Sequence, residues 1–238
     1  MKKKGLSIRW QILIPITLVF IIGSVSLLWN AIDAYNEELK QVALSKAEAA
    51  CNIAVHHVNG DEIAMLTEGD EDSKGYVDNR TQMQEIAQYS NLRYMYTLYK
   101  DDDGTICYGI DSDESEERCI IGDEFDSDAE LVNMAFNGEI AKTKDIDQSD
   151  GEALLTVYEP IYDSDGNVIA VMGCDYDAQH VLDTRYSLIS KLIIVLILTL
   201  SFDIMLINLI VGKIVKNIKI VRNKLYDLVH NEGDLTQK

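Results

Sequence analysis

The segment EPIYDSDGNVIAVMGCDYDA, residues 159–178, decides the fold of this chain. Its centre, DSDG at residues 163–166, ends in an Asp-Gly pair of the kind that forms tight hairpin turns. Pro160 suits a strand end or edge, where no ladder donor is needed. Because side chains alternate along a strand, Asp175 shares one face with Gly173. The segment therefore predicts a β-hairpin with a carboxylate on one face.

The residues around this hairpin predict a larger antiparallel sheet. The hairpin's own strands are expected at residues 153–161 and 167–176, where β-favouring residues are dense. A second hairpin is expected from residues 93–100 and 105–110, which flank the turn DDDG. Short helices are predicted at residues 81–89 and 128–137, with Asp128 as the N-cap of the second, and an acidic loop at residues 111–125. The fold class is α+β.

Two apolar stretches, residues 10–29 and 192–211, lie near the ends of the sequence. Each has 20 residues, long enough as a helix to cross the hydrocarbon core of a bilayer. Asp203 lies in the second stretch and disfavours insertion by roughly 2.5–3.5 kcal/mol, but the surrounding Leu, Ile, Val and Phe side chains outweigh it. The first stretch is too long for a signal peptide and has no clear cleavage site after it. The helix after the first span is expected to continue to Gly60.

The charges around the two spans predict the orientation. Lysines and arginines precede the first span and follow the second, so both ends are expected in the cytoplasm and residues 30–187 outside it. This outer segment has 36 acidic and 10 basic residues, a net charge of −26. Such a surface repels nucleic acid and anionic lipid. We expect no nucleic-acid partner.

The 159–178 hairpin resembles the closing hairpin of Cache domains, the PAS-like extracytoplasmic sensors of receptors. The shared residues are Pro160, Ile161, Asp163, Gly166, Val171, Gly173 and Asp175, while Ala170 stands where the family pattern has a second glycine. The resemblance covers roughly residues 35–185 and is looser outside the hairpin. It implies a single Cache domain whose ligand pocket is lined by the matching Asp175.

Four more residues are candidates for the same pocket. Tyr94 and Tyr96 share one face of their predicted strand and offer a flat apolar wall with a hydroxyl group. Tyr158 lies on the facing hairpin, and Asp111 closes its strand. The alternative is core packing for the tyrosines and a capping or hairpin-pairing role for Asp175.

Residues 212–238 predict an amphipathic helix followed by the sequence EGDL. The segment resembles the first helix of a HAMP domain and the start of its connector, Glu232, Gly233, Asp234 and Leu235. Asn217-Ile218 replaces the Pro-Ile pair with which HAMP helices often begin.

The order of these segments predicts a transmembrane receptor. The expected domains are a cytoplasmic N-terminus at 1–9, a first span at 10–29, the sensor at 30–187, a second span at 188–211 and an incomplete HAMP helix at 212–238. The resemblance implies a methyl-accepting chemotaxis protein that binds a small extracellular ligand and works as a homodimer. Asp203 is expected to relay the signal by bonding across the bundle of spans. A histidine kinase, a diguanylate cyclase and a non-signalling binding protein remain alternatives.

Other motifs that would indicate chemistry are weak. No nucleophile elbow, P-loop or dinucleotide fingerprint occurs in the sequence, so we expect neither catalysis nor a cofactor. The run at 163–167 lacks the ligands of a calcium loop, and His56 and His57 are adjacent, which suits no shared metal. The four cysteines show no pairing pattern, and free buried thiols are favoured over a bridge.

Overall fold

The computed structural model describes residues 8–116, 118–148 and 151–230. The helices are α1 Ile8–His57, α2 Gly60–Ile63, α3 Lys74–Ser90, α4 Ala129–Phe136 and α5 Gln179–His230. The strands are β1 Leu92–Lys100, β2 Ile106–Asp111, β3 Ala141–Lys142, β4 Leu154–Tyr162 and β5 Val168–Asp177. The described chain forms two compact units, one spanning Tyr35–Arg185 and the other made of the described residues before and after it.

The Tyr35–Arg185 unit contains a five-stranded antiparallel sheet in the order β2-β1-β5-β4-β3. Both expected hairpins are present, β1 with β2 and β4 with β5. The two-residue strand β3 was not predicted, because it is too short to carry a pattern. It pairs only with Val157 and Tyr158 of β4, so Pro160 has no partner in β3. This position suits a proline, because a proline has no N–H to donate to a neighbouring strand.

The two faces of the sheet carry separate hydrophobic clusters. The first cluster includes Leu155, Val157, Met172 and Cys174 and packs with buried residues of α1. The second lies on the opposite face with Val132 and Ala135 of α4. Its strand residues include Tyr96, Leu98, Tyr158 and Val171. The alternation of side chains along β4 and β5 places adjacent residues in different clusters.

Helix α1 lies against the sheet through small side chains. Ala43, Ala47, Cys51 and Ala54 are all at most 2% exposed. They recur three or four residues apart and so share one helix face. The thiol Sγ of Cys51 lies 3.6 Å from the carbonyl oxygen of Met172 on β5. Small residues thus allow the helix backbone to approach the strands closely.

Several local predictions differ from the structure. Helix α3 begins at Lys74 rather than residue 81, because the Ser73 hydroxyl accepts the N–H of Tyr76 and caps it early. Helix α1 ends at His57, before the predicted Gly60, and Gly60 begins α2. Asp128 precedes α4 in a left-handed conformation, φ 44°, and its side chain makes no capping bond.

Both long helices contain stretches long and apolar enough to cross a membrane. Only 6% of the apolar stretch in α1 and 0% of that in α5 is buried within the protein. Core helices of soluble proteins bury such surface, so the exposure suits contact with lipid. The α+β fold class, the long N-terminal helix and the two candidate membrane helices agree with the prediction. Glu232, Gly233, Asp234 and Leu235 lie outside the described residues.

The core of the Tyr35–Arg185 unit can be tested at Leu155, which is 0% exposed. Replacement by alanine is expected to lower the free energy of unfolding by about 2–5 kcal/mol, because it removes buried methyl groups and leaves a cavity. Urea denaturation followed by circular dichroism measures the change. Ile120→Ala is the control, since Ile120 is 49% exposed and its loss is expected to stay below about 1 kcal/mol. Equal losses in the two variants would contradict the described core.

Candidate functional site

A cavity of about 230 Å³ lies on the α4 face of the sheet. All five predicted ligand residues line it: Tyr94, Tyr96, Asp111, Tyr158 and Asp175. The lining residues that the sequence did not point to are Tyr108, Asp113, Cys119, Phe125, Ser127, Asp128, Asp147, Leu154 and Thr156. Four different strands and the segments before α4 and β4 therefore meet at one pocket.

The central strands position the tyrosines and Asp175 by direct pairing. Across the ladders, Asp175 of β5 pairs with Tyr94 of β1 and with Thr156 of β4. Residues paired across neighbouring strands point to the same face. The three side chains therefore share the cavity face.

Gly173 makes room for the ring of Tyr96. The two residues pair across β1 and β5, and a Cβ at Gly173 would lie 2.6 Å from Cζ of Tyr96. Any larger side chain would force the ring out of its position. Position 173 must therefore be glycine if the Tyr96 ring is to pack against it.

A β-bulge brings Tyr108 and Asp111 to the same face. They are three residues apart on β2, yet Tyr108 pairs with Leu98 and Asp111 with Tyr96, with a register shift between the two pairs. The hydroxyl of Thr97 accepts the N–H of Ile110 at 2.7 Å within this irregular stretch. Simple alternation would place the two side chains on opposite faces, so the bulge places both in the cavity.

Asp175 is a buried carboxylate, with 6% of the residue exposed. The hydroxyl of Tyr96 donates to its Oδ1 over a long 3.4 Å. Burial raises the pKa of Asp175 to about 7, although hydrogen bonds from Thr156 and Tyr96 oppose the shift and nearby Asp128 and Asp111 add to it. At neutral pH this group therefore carries only part of its charge.

Asp111 has a different environment. Its Oδ1 accepts the N–H of Asp113 at 2.9 Å, and its Oδ2 accepts the N–H of Cys119 at 3.0 Å. Burial raises its pKa, and the two backbone N–H groups partly oppose the change. Arg80 donates to the carbonyl oxygens of Asp111 and Asp113 from α3. Asp111 therefore holds the loop after β2 in place while facing the cavity.

Aromatic rings form the cavity wall. The ring centroid of Phe125 lies 5.4 Å from that of Tyr108, 6.1 Å from that of Tyr96 and 6.4 Å from that of Tyr158. Phe125 belongs to the predicted loop, and its N–H donates to the carbonyl oxygen of Ile106 on β2. No local pattern indicates this long-range contact, which explains why sequence reasoning missed Phe125.

Asp128 also enters the site, because its Oδ2 accepts the hydroxyl proton of Tyr158 at 3.1 Å. This bond replaces the expected capping bond at the start of α4. Burial, followed by the charges of Asp175 and Asp128, raises the pKa of Tyr158. The phenol therefore stays protonated and serves as a hydrogen-bond donor.

The other predicted features lie away from this cavity. Asp203 is in α5, beyond the Tyr35–Arg185 unit. Asp163 is a turn residue whose carboxylate accepts the N–H groups of Asp165 and Asn167. His56 and His57 each place Nδ1 2.8 Å from a carbonyl oxygen one turn earlier in α1.

All four cysteines are free. Among the described residues, no group of three or more His, Cys, Asp or Glu side chains is arranged to hold a metal ion. A second cavity, of about 250 Å³, lies among mainly apolar residues including Ile63, Leu66 and Ile169. The first cavity, with its hydroxyl and carboxylate groups, is the better candidate for a specific ligand.

No family model matches the chain, and no curated protein matches its sequence. Solved structures that are similar to this chain include sensor domains of chemoreceptors and histidine kinases. The ligand-binding domain of the Campylobacter jejuni chemoreceptor Tlp3, in complex with L-valine, has 17% identity and a TM-score of 0.38, over 68% of this chain and 66% of that one. This chain thus spans about two thirds of that domain.

Two sensor domains of other proteins are also similar. The E. coli DcuS sensor domain has 17% identity and a TM-score of 0.39, over 63% of this chain and 96% of that one. The sensor domain of the V. cholerae histidine kinase DctB has 10% identity and a TM-score of 0.39, over 73% of this chain and 59% of that one. Similarities at this level assign no ligand and no output to this chain.

The burial of Asp175 is expected to make the stability of the fold depend on pH. With a folded pKa near 7 against an ordinary 3.8, the carboxyl stabilises the fold below about pH 4, and this contribution is lost as pH rises to about 7. An asparagine side chain at this position would stay neutral at every pH. We expect Asp175→Asn to gain stability over the natural protein between about pH 4 and 7, by at most about 4 kcal/mol.

Thermal unfolding at a series of pH values, without ligand, measures this gain. Asp102→Asn is the control, because it removes the same charge from an exposed turn. Its unfolding temperature is expected to follow that of the natural protein. A difference between Asp175→Asn and the natural protein that does not grow with pH would contradict the buried-charge account.

Proposed function

We propose that this chain is the sensor portion of a transmembrane signal transducer. Residues 30–187 bind a small ligand outside the cytoplasm, in the cavity on the α4 face of the sheet. The domain performs no catalysis. The observation that carries the proposal is the division of the sheet, with the cavity on one face and the helix from the first apolar segment on the other.

The hairpin β4–β5 connects the two faces. Tyr158 lines the cavity, and its neighbour Glu159 accepts a hydrogen bond from Asn52 of α1 at 2.9 Å. Asp175 lines the cavity, and its neighbour Cys174 belongs to the cluster that packs with α1. A ligand that shifts these strands must therefore also change the surface on which α1 rests.

Polar contacts attach α1 to the same sheet. Glu48 pairs with Lys142 of β3 at 2.7 Å. Lys40 contacts Asp145, in the segment after β3, at 3.1 Å. Together with the Asn52–Glu159 bond they tie about three turns of the helix to the strands. Such contacts supply the two-state element that a signal needs, because ligand binding stabilises one arrangement over the other.

The membrane arrangement follows from the flanking charges. Basic residues beside both apolar segments support cytoplasmic ends and an outer sensor. We further propose a homodimer in which Asp203 bonds across the spans, since polar groups at this depth usually face protein. The HAMP-like sequence at 212–238 supports a methyl-accepting chemotaxis protein as the complete receptor. A histidine kinase or diguanylate cyclase uses the same order of segments and is the alternative output.

The relay can be tested in a chimera of residues 1–238 with the signalling module of a chemoreceptor. A thermal-shift screen of amino acids, organic acids and amines supplies the ligand, since binding raises the unfolding temperature. We expect Asn52→Ala to keep ligand affinity within about threefold while the ligand-induced output falls about fivefold or more, a coupling loss near 1 kcal/mol.

Gln41→Ala is the matched control, because Gln41 lies on the same helix and bonds only to Glu37 of that helix among its described contacts. Its affinity and output are expected to match those of the natural sequence. An Asn52→Ala output equal to that of Gln41→Ala would contradict the relay through this bond. A screen in which no small molecule shifts the unfolding temperature would contradict the sensor function.

A further inference from the structure

The cavity contains a buried carboxyl group that has no partner of opposite sign. Asp175 is 94% buried, given its 6% exposure, and among the described residues no lysine, arginine or histidine forms an ion pair with it. Buried carboxylates are ordinarily paired, because desolvation of a lone charge is costly. A positive group supplied from outside would complete this site.

All charged residues of the cavity lining are acidic. Its lining residues, all within the described part of the chain, include no basic side chain but five acidic ones: Asp111, Asp113, Asp128, Asp147 and Asp175. Two nearby arginines are already engaged. Arg93 forms a bidentate pair with Glu152, with N–O distances of 2.6 and 3.1 Å, and Arg80 donates to two backbone carbonyl oxygens. Burial dominates the pKa of Asp111, with a smaller opposing effect from the charge of Arg118, which does not line the cavity.

The walls are suited to an organic cation. Tyr96, Tyr108, Phe125 and Tyr158 surround the space at mutual angles of 36° to 79°. Aromatic faces attract ammonium groups, and several rings around one cation is the arrangement of known ammonium sites. A bare divalent ion instead needs converging oxygen ligands, and the described residues contain no such group.

We infer that the cavity binds a small organic ammonium ion without a carboxylate, its charged nitrogen held between Asp175 and the aromatic walls. The inference rests on the proposed sensor function and specifies its ligand class. An organic acid or an amino acid would bring a carboxylate next to five aspartates, with no basic side chain in the cavity lining to receive it. The volume of about 230 Å³ corresponds to roughly eight water molecules, which suits a small ligand.

Two matched sets of compounds test the charge requirement. The first is choline, its neutral analogue 3,3-dimethylbutan-1-ol and the zwitterion glycine betaine. The second is the cation ethanolamine, its neutral analogue ethylene glycol and the zwitterion glycine. Isothermal titration calorimetry on the full chain in lipid nanodiscs measures each affinity. We expect the cation of at least one set to bind at least about tenfold more tightly than its neutral and zwitterionic partners.

Variants of the protein test the position of the cation. Asp175→Asn is expected to weaken binding of the cation at least about 30-fold, because it removes the buried counter-charge. Phe125→Leu is expected to weaken it about three- to tenfold through the loss of one aromatic face. Asp102→Asn, an exposed control, is expected to change nothing. Asp128→Asn is a second charge variant, which leaves Asp175 in place.

Each other outcome has a definite meaning. Equal or tighter binding of glycine betaine or glycine overturns the ammonium inference and leaves the sensor function standing, because a small ligand still occupies the cavity. Cation binding that both Asp175→Asn and Asp128→Asn leave unchanged also overturns it. No binding by any of the six compounds overturns it too, while the broader thermal-shift screen separately decides the sensor function.

Discussion

The pairing of β4 with β5 is the constraint on which the rest of the structure depends. Their ladder runs from Leu154 opposite Asp177 to Tyr162 opposite Val168. Because the side-chain period of a strand is two, a slip of one residue would exchange the two faces. Asp175 would then point at α1 and Cys174 into the cavity. The tight turn at DSDG and Gly173 beneath Tyr96 both favour the observed register.

This register places an unfavourable group at the centre of a stable sheet. Asp175 is flanked by Asp128 and Asp111, whose charges add to its own desolvation. Such a carboxylate costs stability, and a core built for stability alone would have an apolar residue here. Strained or destabilised groups cluster where proteins bind ligands. The loss of stability caused by Asp175 is consistent with a carboxylate whose counter-charge is supplied by a ligand.

The same hairpin gives the cavity a mechanical connection. Tyr158 forms part of the cavity wall, and the adjacent residue Glu159 contacts α1. Glu159 is 5% exposed, and its second oxygen, Oε2, is buried without a hydrogen-bond partner among the described residues. The Asn52 amide is therefore an important part of its environment, and a small change in strand position would alter it. Packed interfaces of this kind shift between discrete arrangements rather than deform smoothly.

The sequence predicted what depends on neighbouring residues. Strand alternation placed Tyr94 and Tyr96 on one face of their strand and Asp175 on the same face as Gly173, and turn residues located both hairpins. Asp111 was also predicted, but Tyr108 shares its face only through a bulge between the two residues, whose position depends on the partner strand. Phe125 and Asp128 enter the site through contacts with Ile106 and Tyr158, far away in sequence. Local patterns carry no information about such contacts, so half of the aromatic wall was missed.

The central claim is that occupation of the cavity moves α1 relative to the sheet. Spin labels on unnatural amino acids at Gln41 of α1 and Asp102 of the β1–β2 turn, both exposed, leave the four cysteines intact. Double electron–electron resonance on the full chain in nanodiscs then measures the distance between the labels with and without saturating choline. The account predicts a shift of roughly 1–2 Å, as for helix movements in other switches. An unchanged distance distribution at demonstrated saturation would contradict it.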